Sequence, residues 1–227
     1  MQFTINNQPV FTTLTVGLAG GESFKAEAGA MVSMSSTVEL QSTTTAKGIG
    51  GLFRAAVGGE GMFASVFTAT EGDGEVILAP PAPGDIVEFQ MDGRTLYCQG
   101  GAYLAGSPDL ELSTKGSLKS MFSGEGLFLQ TVTGHGKVFL SCYGAVWRKD
   151  LGPGETYVID TGHMLAFEEG VDYRVKMVSK GLFSSFASGE GLVAEFRGPG
   201  AVYIQSRNLQ GFAKLLHQLM PTKSGNN

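Results

Sequence analysis

A short glycine–glutamate–glycine motif occurs three times in this chain at a constant interval of 65 residues. Its copies are Gly59-Glu60-Gly61, Gly124-Glu125-Gly126 and Gly189-Glu190-Gly191. A Lys-Gly pair precedes each copy, and a Gly-x-Gly turn that opens an apolar segment follows it. Self-similarity at a fixed period indicates tandem structural units that bury their apolar faces against one another. The sequence therefore predicts one domain over 1–207 made of three repeats, at about 1–83, 84–151 and 152–207.

Local composition predicts β-strands inside each repeat. Segments such as 86–91 and 156–159 are rich in β-branched and aromatic residues and are bounded by Gly, Pro or Asp. The chain has 34 glycines in 227 residues, and glycine supplies the positive φ angles that tight hairpin turns require. We therefore expect an all-β fold, with three units arranged around a pseudo-threefold axis.

Two kinds of helix are predicted beside the strands. A short stretch with apolar residues three or four apart recurs in each repeat, at 47–57, 115–122 and 180–187, and favours a rim helix of one or two turns. The C-terminal stretch 208–220 is the clearer helix, because Asn208 is a good N-cap residue and Pro221 stands beyond the end. Residues 221–227 are expected to be a disordered tail.

Charge and composition disfavour several classes of protein. The net charge of −5 and the pI near 5.2 disfavour a nucleic-acid binder, which usually has a basic face. No apolar run is long enough for a transmembrane helix, and the first residues do not resemble a secretory signal. Cys98 and Cys142 each lie in an apolar segment, which favours buried free thiols in a reducing compartment. We therefore expect a cytoplasmic protein.

The polar residues do not form a recognisable catalytic or metal-binding pattern. His135, His163 and His217 occupy unrelated positions of the repeats, and the sequence has no His-x-His pair. The three motif carboxylates Glu60, Glu125 and Glu190 could converge on a cation, but turn carboxylates exposed or paired with nearby lysines are the favoured interpretation. No Gly-x-Ser-x-Gly elbow is present either. We predict a non-enzymatic protein without metal or cofactor.

Large apolar side chains recur in the predicted rim helices. The candidate interface residues are Leu52, Phe53, Phe122, Phe183 and Phe186. These side chains either cap the core of their own subunit, or form an oligomer interface or a shallow membrane contact. Few lysines lie nearby (Lys47 in the first repeat, Lys115 and Lys119 in the second, Lys180 in the third), so a protein partner is favoured over anionic lipid.

Several of these features together resemble a known family. The segment Gly-Ala-Met-Val-Ser-Met at 29–34, the three Gly-Glu-Gly turns and the strand that ends in Ser206-Arg207-Asn208 are similar to the mitochondrial biogenesis family, named for altered inheritance of mitochondria. The resemblance extends to about Asn208 and is to the prokaryotic members of unknown function. It implies a fold like that of the tryptophan RNA-binding attenuation protein, with double-stranded β-helix-like sheets. It supplies no catalytic residue.

Two functional hypotheses follow. The first is an assembly or scaffold protein that acts through self-association, as a homo-oligomer, or through protein partners. The second, by analogy of fold alone, is a module that binds a small ligand or RNA. A deep polar pocket would favour a ligand, and a stripe of Lys and Arg would favour RNA; neither is visible in the sequence.

Overall fold

The computed structural model describes residues 1–43, 64–115, 129–177 and 192–220. Within these residues the chain forms 18 strands and one helix. The strands are β1 (Gln2–Asn6), β2 (Thr13–Leu18), β3 (Ser23–Glu27), β4 (Met31–Met34), β5 (Val38–Thr43), β6 (Ala64–Ala69), β7 (Gly74–Leu78), β8 (Ile86–Asp92), β9 (Leu96–Gln99), β10 (Tyr103–Gly106), β11 (Leu110–Lys115), β12 (Leu129–Ser141), β13 (Val146–Leu151), β14 (Thr156–Asp160), β15 (Met164–Glu168), β16 (Asp172–Met177), β17 (Leu192–Arg197) and β18 (Gly200–Gln205). The helix is α1 (Leu209–Leu219).

The same antiparallel pairings recur in three stretches of the chain. In the first stretch, β2 and β4 both pair with β7, while β3 and β5 both pair with β6. In the second stretch the long strand β12 takes the place of β6 and β7, and it pairs with β8, β9, β10 and β11. In the third stretch β13 and β15 pair with β18, and β14 and β16 pair with β17.

One irregularity of register occurs at the same place in all three stretches. The pairing shifts between Met31 and Ser33 in β4, between Tyr103 and Ala105 in β10, and between Met164 and Ala166 in β15. A bulge of this kind adds a residue to one strand and bends it. Because these shifts lie at matching positions, each residue of β4 has a corresponding residue in β10 and another in β15.

Glycine is required at the turn before the second strand of each stretch. Gly21, Gly93 and Gly154 have φ angles of 86°, 93° and 76°, a region that residues with a Cβ atom rarely adopt. Each of these glycines lies two or three residues before β3, β9 or β14 begins. Residues counted from these glycines therefore occupy corresponding positions in β3, β9 and β14.

The buried side chains form three clusters that follow the three stretches. The first cluster takes its side chains mainly from 14–78 and adds a few from β8, β10 and β12. The second covers 91–142 and adds Leu165, Ala166, Ala201 and Tyr203. The third covers 151–204 and adds Leu129, with Tyr97 packed against it. Each core is thus completed by side chains from the next or the preceding stretch.

The predicted all-β class is confirmed, and so is the C-terminal helix. Asn208 has an extended backbone, and its side chain accepts a hydrogen bond from the backbone N–H of Gly211, as expected of an N-cap. The first and third predicted rim helices, residues 116–122 of the second, the tail 221–227 and the three Gly-Glu-Gly turns lie outside the described residues. Lys115, where the sequence predicts the start of the second rim helix, is instead the last residue of strand β11. In the part of the chain that the structure describes, no helix has the length and apolar character needed to cross a membrane.

Candidate functional site

The first junction between neighbouring stretches joins β3 to β10 in antiparallel fashion. Ala26 lies opposite Ala105. The Tyr103 hydroxyl donates a hydrogen bond to the Lys25 carbonyl at 3.1 Å, and Lys25 Nζ donates to the Leu110 carbonyl at 3.2 Å. Tyr103 is buried, and burial raises the pKa of its hydroxyl well above the ordinary value. The junction is therefore held by strand pairing, small side chains and a few hydrogen bonds.

The second junction joins β9 to β15 in the same register. Cys98 lies opposite Ala166, and Tyr97 lies opposite Phe167. The rings of Tyr97 and Phe167 stack with their centroids 4.8 Å apart, a favourable arrangement for two aromatic side chains. Thus, at both junctions, the strand that follows the glycine turn in one stretch pairs with the third strand, β10 or β15, of the stretch that follows.

Two strands that match these junction strands are sheet edges. By position, β4 corresponds to β10 and β15, and β14 corresponds to β3 and β9. Among the described residues, β4 pairs only with β7 and ends a four-stranded sheet, and β14 pairs only with β17 and ends a three-stranded sheet. The series of junctions therefore has one open edge at each end. We call β4 and β14 the end edges.

The β4 end edge exposes apolar side chains. Met31, Val32 and Met34 are 39%, 60% and 39% exposed. All four residues of β10 are buried, as are the first four residues of β15. The same strand position is thus buried where a neighbouring stretch covers it and exposed in β4, which has no such neighbour among the described residues.

The β14 end edge shows the same contrast. Tyr157 and Val158 are 40% and 55% exposed, whereas Phe24 and Leu96, which occupy the position of Tyr157 in β3 and β9, are 0% and 4% exposed. Neither end edge contains a lysine, arginine or proline, which are the residues that commonly protect a free edge from pairing with another chain. Both end edges therefore have the chemical character of a junction surface.

Isolated backbone bridges also join the first stretch to the second and the second to the third, but not the third to the first among the described residues. Phe11 forms an isolated parallel bridge with Gly84, and Gly84 forms one with Gly144. Each of these residues lies two positions before the first strand (β2, β8 or β13) of its pairing set. Within the described residues no bridge joins Gly144 back to Phe11, and the Phe11 side chain is 74% exposed. The three stretches are therefore joined in series.

The grooves of the described structure offer polar groups that are already satisfied. A groove of about 270 Å³ lies between the second and third stretches and includes Arg148, Glu168 and Tyr203. Arg148 forms an ion pair of 2.7 Å with Asp150, and the Tyr203 hydroxyl donates to Glu168 at 3.0 Å. Burial and the Glu168 carboxylate raise the pKa of Tyr203 to about 12. These three side chains are therefore already engaged with groups of the same chain.

Other polar side chains of the described residues are also bonded within the chain. Nδ1 of His163, one of the three histidines, lies 2.9 Å from the Gln205 carbonyl oxygen. No cluster of three or more His, Cys, Asp or Glu residues suited to a metal ion occurs in the described ranges. Five lysine and arginine side chains there form ion pairs with carboxylates: Arg94, Lys137, Arg148, Lys149 and Lys176.

Helix α1 has a separate apolar surface. Leu209, Phe212, Leu216 and Leu219 are between 42% and 73% exposed, and no residue of the helix is buried. One ring contact, 5.8 Å between the centroids of Phe212 and Tyr143, links the helix to the connection between β12 and β13. The helix therefore contributes little to the core.

The residues singled out from the sequence are not the ones that form the end edges. The candidate interface residues Leu52, Phe53, Phe122, Phe183 and Phe186 all lie outside the described residues, so their role stays a prediction. The same holds for the turn residues Gly59, Glu60, Gly61, Gly124, Glu125, Gly126, Gly189, Glu190 and Gly191. The end edges were missed. A signal for them was available: three tandem units have three pairs of matching edges, and only two junctions are formed if the ends do not meet.

Comparison with known proteins places these features in a family. The family model described as Mitochondrial biogenesis AIM24 matches residues 3–207. An uncharacterized protein of Streptococcus pyogenes serotype M6 is 34% identical over 233 residues, which cover 99% of this chain and 93% of that protein. An X-ray crystal structure of a Streptococcus pyogenes protein is similar with a TM-score of 0.81 and 32% identity, over 96% of this chain and 99% of that one.

Proposed function

The chain belongs to the Mitochondrial biogenesis AIM24 family, and we propose that it is a non-enzymatic assembly protein that acts through self-association. In this proposal the chain consists of three equivalent units in a fold like that of the tryptophan RNA-binding attenuation protein. The recurring pairings with a bulge at one matching position support three equivalent units. A self-associating protein needs a surface that a second copy completes, and the end edges provide such a surface.

The observation that carries the proposal is the contrast in burial between equivalent strands. β10 is buried throughout, whereas β4 is exposed throughout although it is equally apolar. Exposed apolar edge strands without charged residues are rare in monomeric proteins, because they pair readily with other chains. A surface of this kind is retained when a partner covers it.

The alternative of RNA or small-ligand binding has weaker support. The ion pairs of Arg94, Lys137, Arg148, Lys149 and Lys176 leave these side chains less able to contact phosphates. The groove beside Tyr203 is lined by groups that already bind one another. The proposal assigns the chain to the cytoplasm, because Cys98 and Cys142 are buried free thiols and a reducing compartment would keep them in the thiol form.

The mass of the protein in solution tests the proposal. Light scattering on a concentration series of the full chain should give a mass above the 23.8 kDa of one chain, rising with concentration. Affinity capture from native lysate with a tagged chain, followed by mass spectrometry, should recover untagged copies of the same chain. A mass of one chain at every concentration, with no copy captured, would refute self-association. A salt-dependent gain of RNA in the captured material would favour the alternative instead.

A further inference from the structure

We infer that β4 of one copy pairs antiparallel with β14 of a second copy, with Met34 opposite Val158. The inference rests on the proposed function and adds the partner and the register to it. The occupant of each end edge is a second copy of this chain, because the two end edges of a single chain have the same relation to each other as the two strands of each internal junction.

The register follows from the two internal junctions. Ala26 and Cys98 each follow their turn glycine by five residues, and they lie opposite Ala105 and Ala166, the residues just after the bulge. The corresponding residues at the end edges are Ile159, five residues after Gly154, and Ser33, just after its bulge. Ile159 therefore lies opposite Ser33.

The pair beside Ile159 and Ser33 in this register is the one used for the experiment. Tyr97 lies opposite Phe167 in the second junction, and the corresponding residues are Val158 in β14 and Met34 in β4. Both are apolar, and they are 55% and 39% exposed. Apolar side chains that lie directly opposite in an antiparallel pair stabilise it through their contact. The pairing would remove both from water.

Such an interface is head-to-tail, because the two surfaces that meet are different. A pair of copies then keeps one free β4 and one free β14, so copies continue to add until the rotation closes a ring or a filament forms. A variant that blocks one end edge therefore leaves the other end edge able to pair. This property separates head-to-tail pairing from a symmetric interface in which an edge meets its own copy.

The experiment uses two full-length variants, Met34→Glu and Val158→Glu. Lysine is avoided because Lys25, at the position of Val158, lies opposite Gly106 in the first junction and donates to the Leu110 carbonyl there. Glutamate cannot donate such a hydrogen bond, and it places a charge in a junction that must lose water, which is unfavourable. Each variant alone should be monomeric, with the dissociation constant for self-association raised about tenfold or more. An equal mixture should form dimers and nothing larger, because the unblocked β14 of the first variant pairs with the unblocked β4 of the second.

The matched control is Leu40→Glu. Leu40 lies on β5, which ends another sheet, and is 37% exposed, close to the value for Met34. The control should assemble as the unmodified chain does. Near-ultraviolet circular dichroism of all three variants checks that the fold is retained, which is expected because the replaced side chains are exposed.

The other outcomes overturn the inference. If both variants assemble like the unmodified chain, or if only one of the two is monomeric, the β4–β14 pairing is wrong while self-association stands. If the unmodified chain is itself monomeric, the proposed self-association is wrong, and the β4–β14 pairing with it.

A double variant with Met34→Cys and Val158→Cys decides between pairing of two copies and closure within one chain. Mild oxidation should give a ladder of linked chains, whereas a linked monomer would show that the ends meet within a single chain.

Discussion

Replacing Gln205 by leucine should destabilise the protein strongly, because this side chain joins the second and third stretches. Its Nε2 donates to Gln99 Oε1 at 2.9 Å and to the Gly162 carbonyl at 3.1 Å, and its Oε1 accepts from the Tyr143 N–H at 2.9 Å. The residue is 5% exposed. Leucine has a similar volume but makes none of these three hydrogen bonds.

The size of the effect follows from those three bonds. A hydrogen bond contributes about 0.5–1.5 kcal/mol net, and a buried partner left unsatisfied costs about 1–3 kcal/mol. The surroundings are only partly buried, so water reaches some of the partners. We expect Gln205→Leu to lower the free energy of unfolding by roughly 2–4 kcal/mol. For a chain of this length that corresponds to a fall in Tm of roughly 5–15 °C.

Urea unfolding followed by far-ultraviolet circular dichroism measures the free energy directly. The control is Gln90→Leu, because Gln90 is exposed and its amide donates to the Gly136 carbonyl at 3.2 Å. The control should change the free energy of unfolding by less than about 0.5 kcal/mol. If Gln205→Leu costs no more than the control, the three hydrogen bonds do not hold the stretches together and the reasoning is refuted.

Three further predictions concern other parts of the molecule. Burial raises the pKa of Glu27 from 4.5 to about 7, so the folded state binds a proton that the unfolded state releases. The free energy of unfolding should therefore fall as pH rises from about 4.5 to 7, and Glu27→Gln should remove this dependence in urea titrations. A chain that ends at Asn208 should keep a Tm within a few degrees of the full chain in calorimetry, because no residue of α1 is buried. Burial raises the pKa of Cys98 to about 12 and that of Cys142 to about 11; Ellman's reagent should thus detect both thiols only after denaturation, and rapid labelling of the folded chain would contradict their burial.

Much of the fold could be predicted because it is local. Strands such as β14 follow from β-branched and aromatic residues between glycine turns, and the turn glycine Gly154 has the positive φ that this pattern requires. Helix α1 follows from Asn208 and the helical spacing of its leucines. These elements depend on a few neighbouring residues, so a single sequence is enough to indicate them.

Three tandem units indicate that end edges can exist, but their exposure could not be predicted, because it depends on contacts between distant parts of the chain. Residues 31–34 of β4 are as apolar as residues 103–106 of β10, and nothing in either segment tells which one is covered. Whether three units close a circle depends on the rotation at each junction, which is set by packing around residues such as Ala26 and Ala105. The predicted rim interface, from Leu52 to Phe186, lies outside the described residues and stays a prediction.

Hydrogen exchange on the backbone amides of the two end edges tests the central claim most directly. Mass spectrometry of the full chain at low and high concentration would follow peptides that contain residues 31–34 and 156–160, with 38–43 of edge strand β5 as the reference. If the end edges join copies, exchange in the first two segments slows as concentration rises, while the reference does not change. Exchange that is independent of concentration in both segments, in a sample whose mass shows association, would contradict the account.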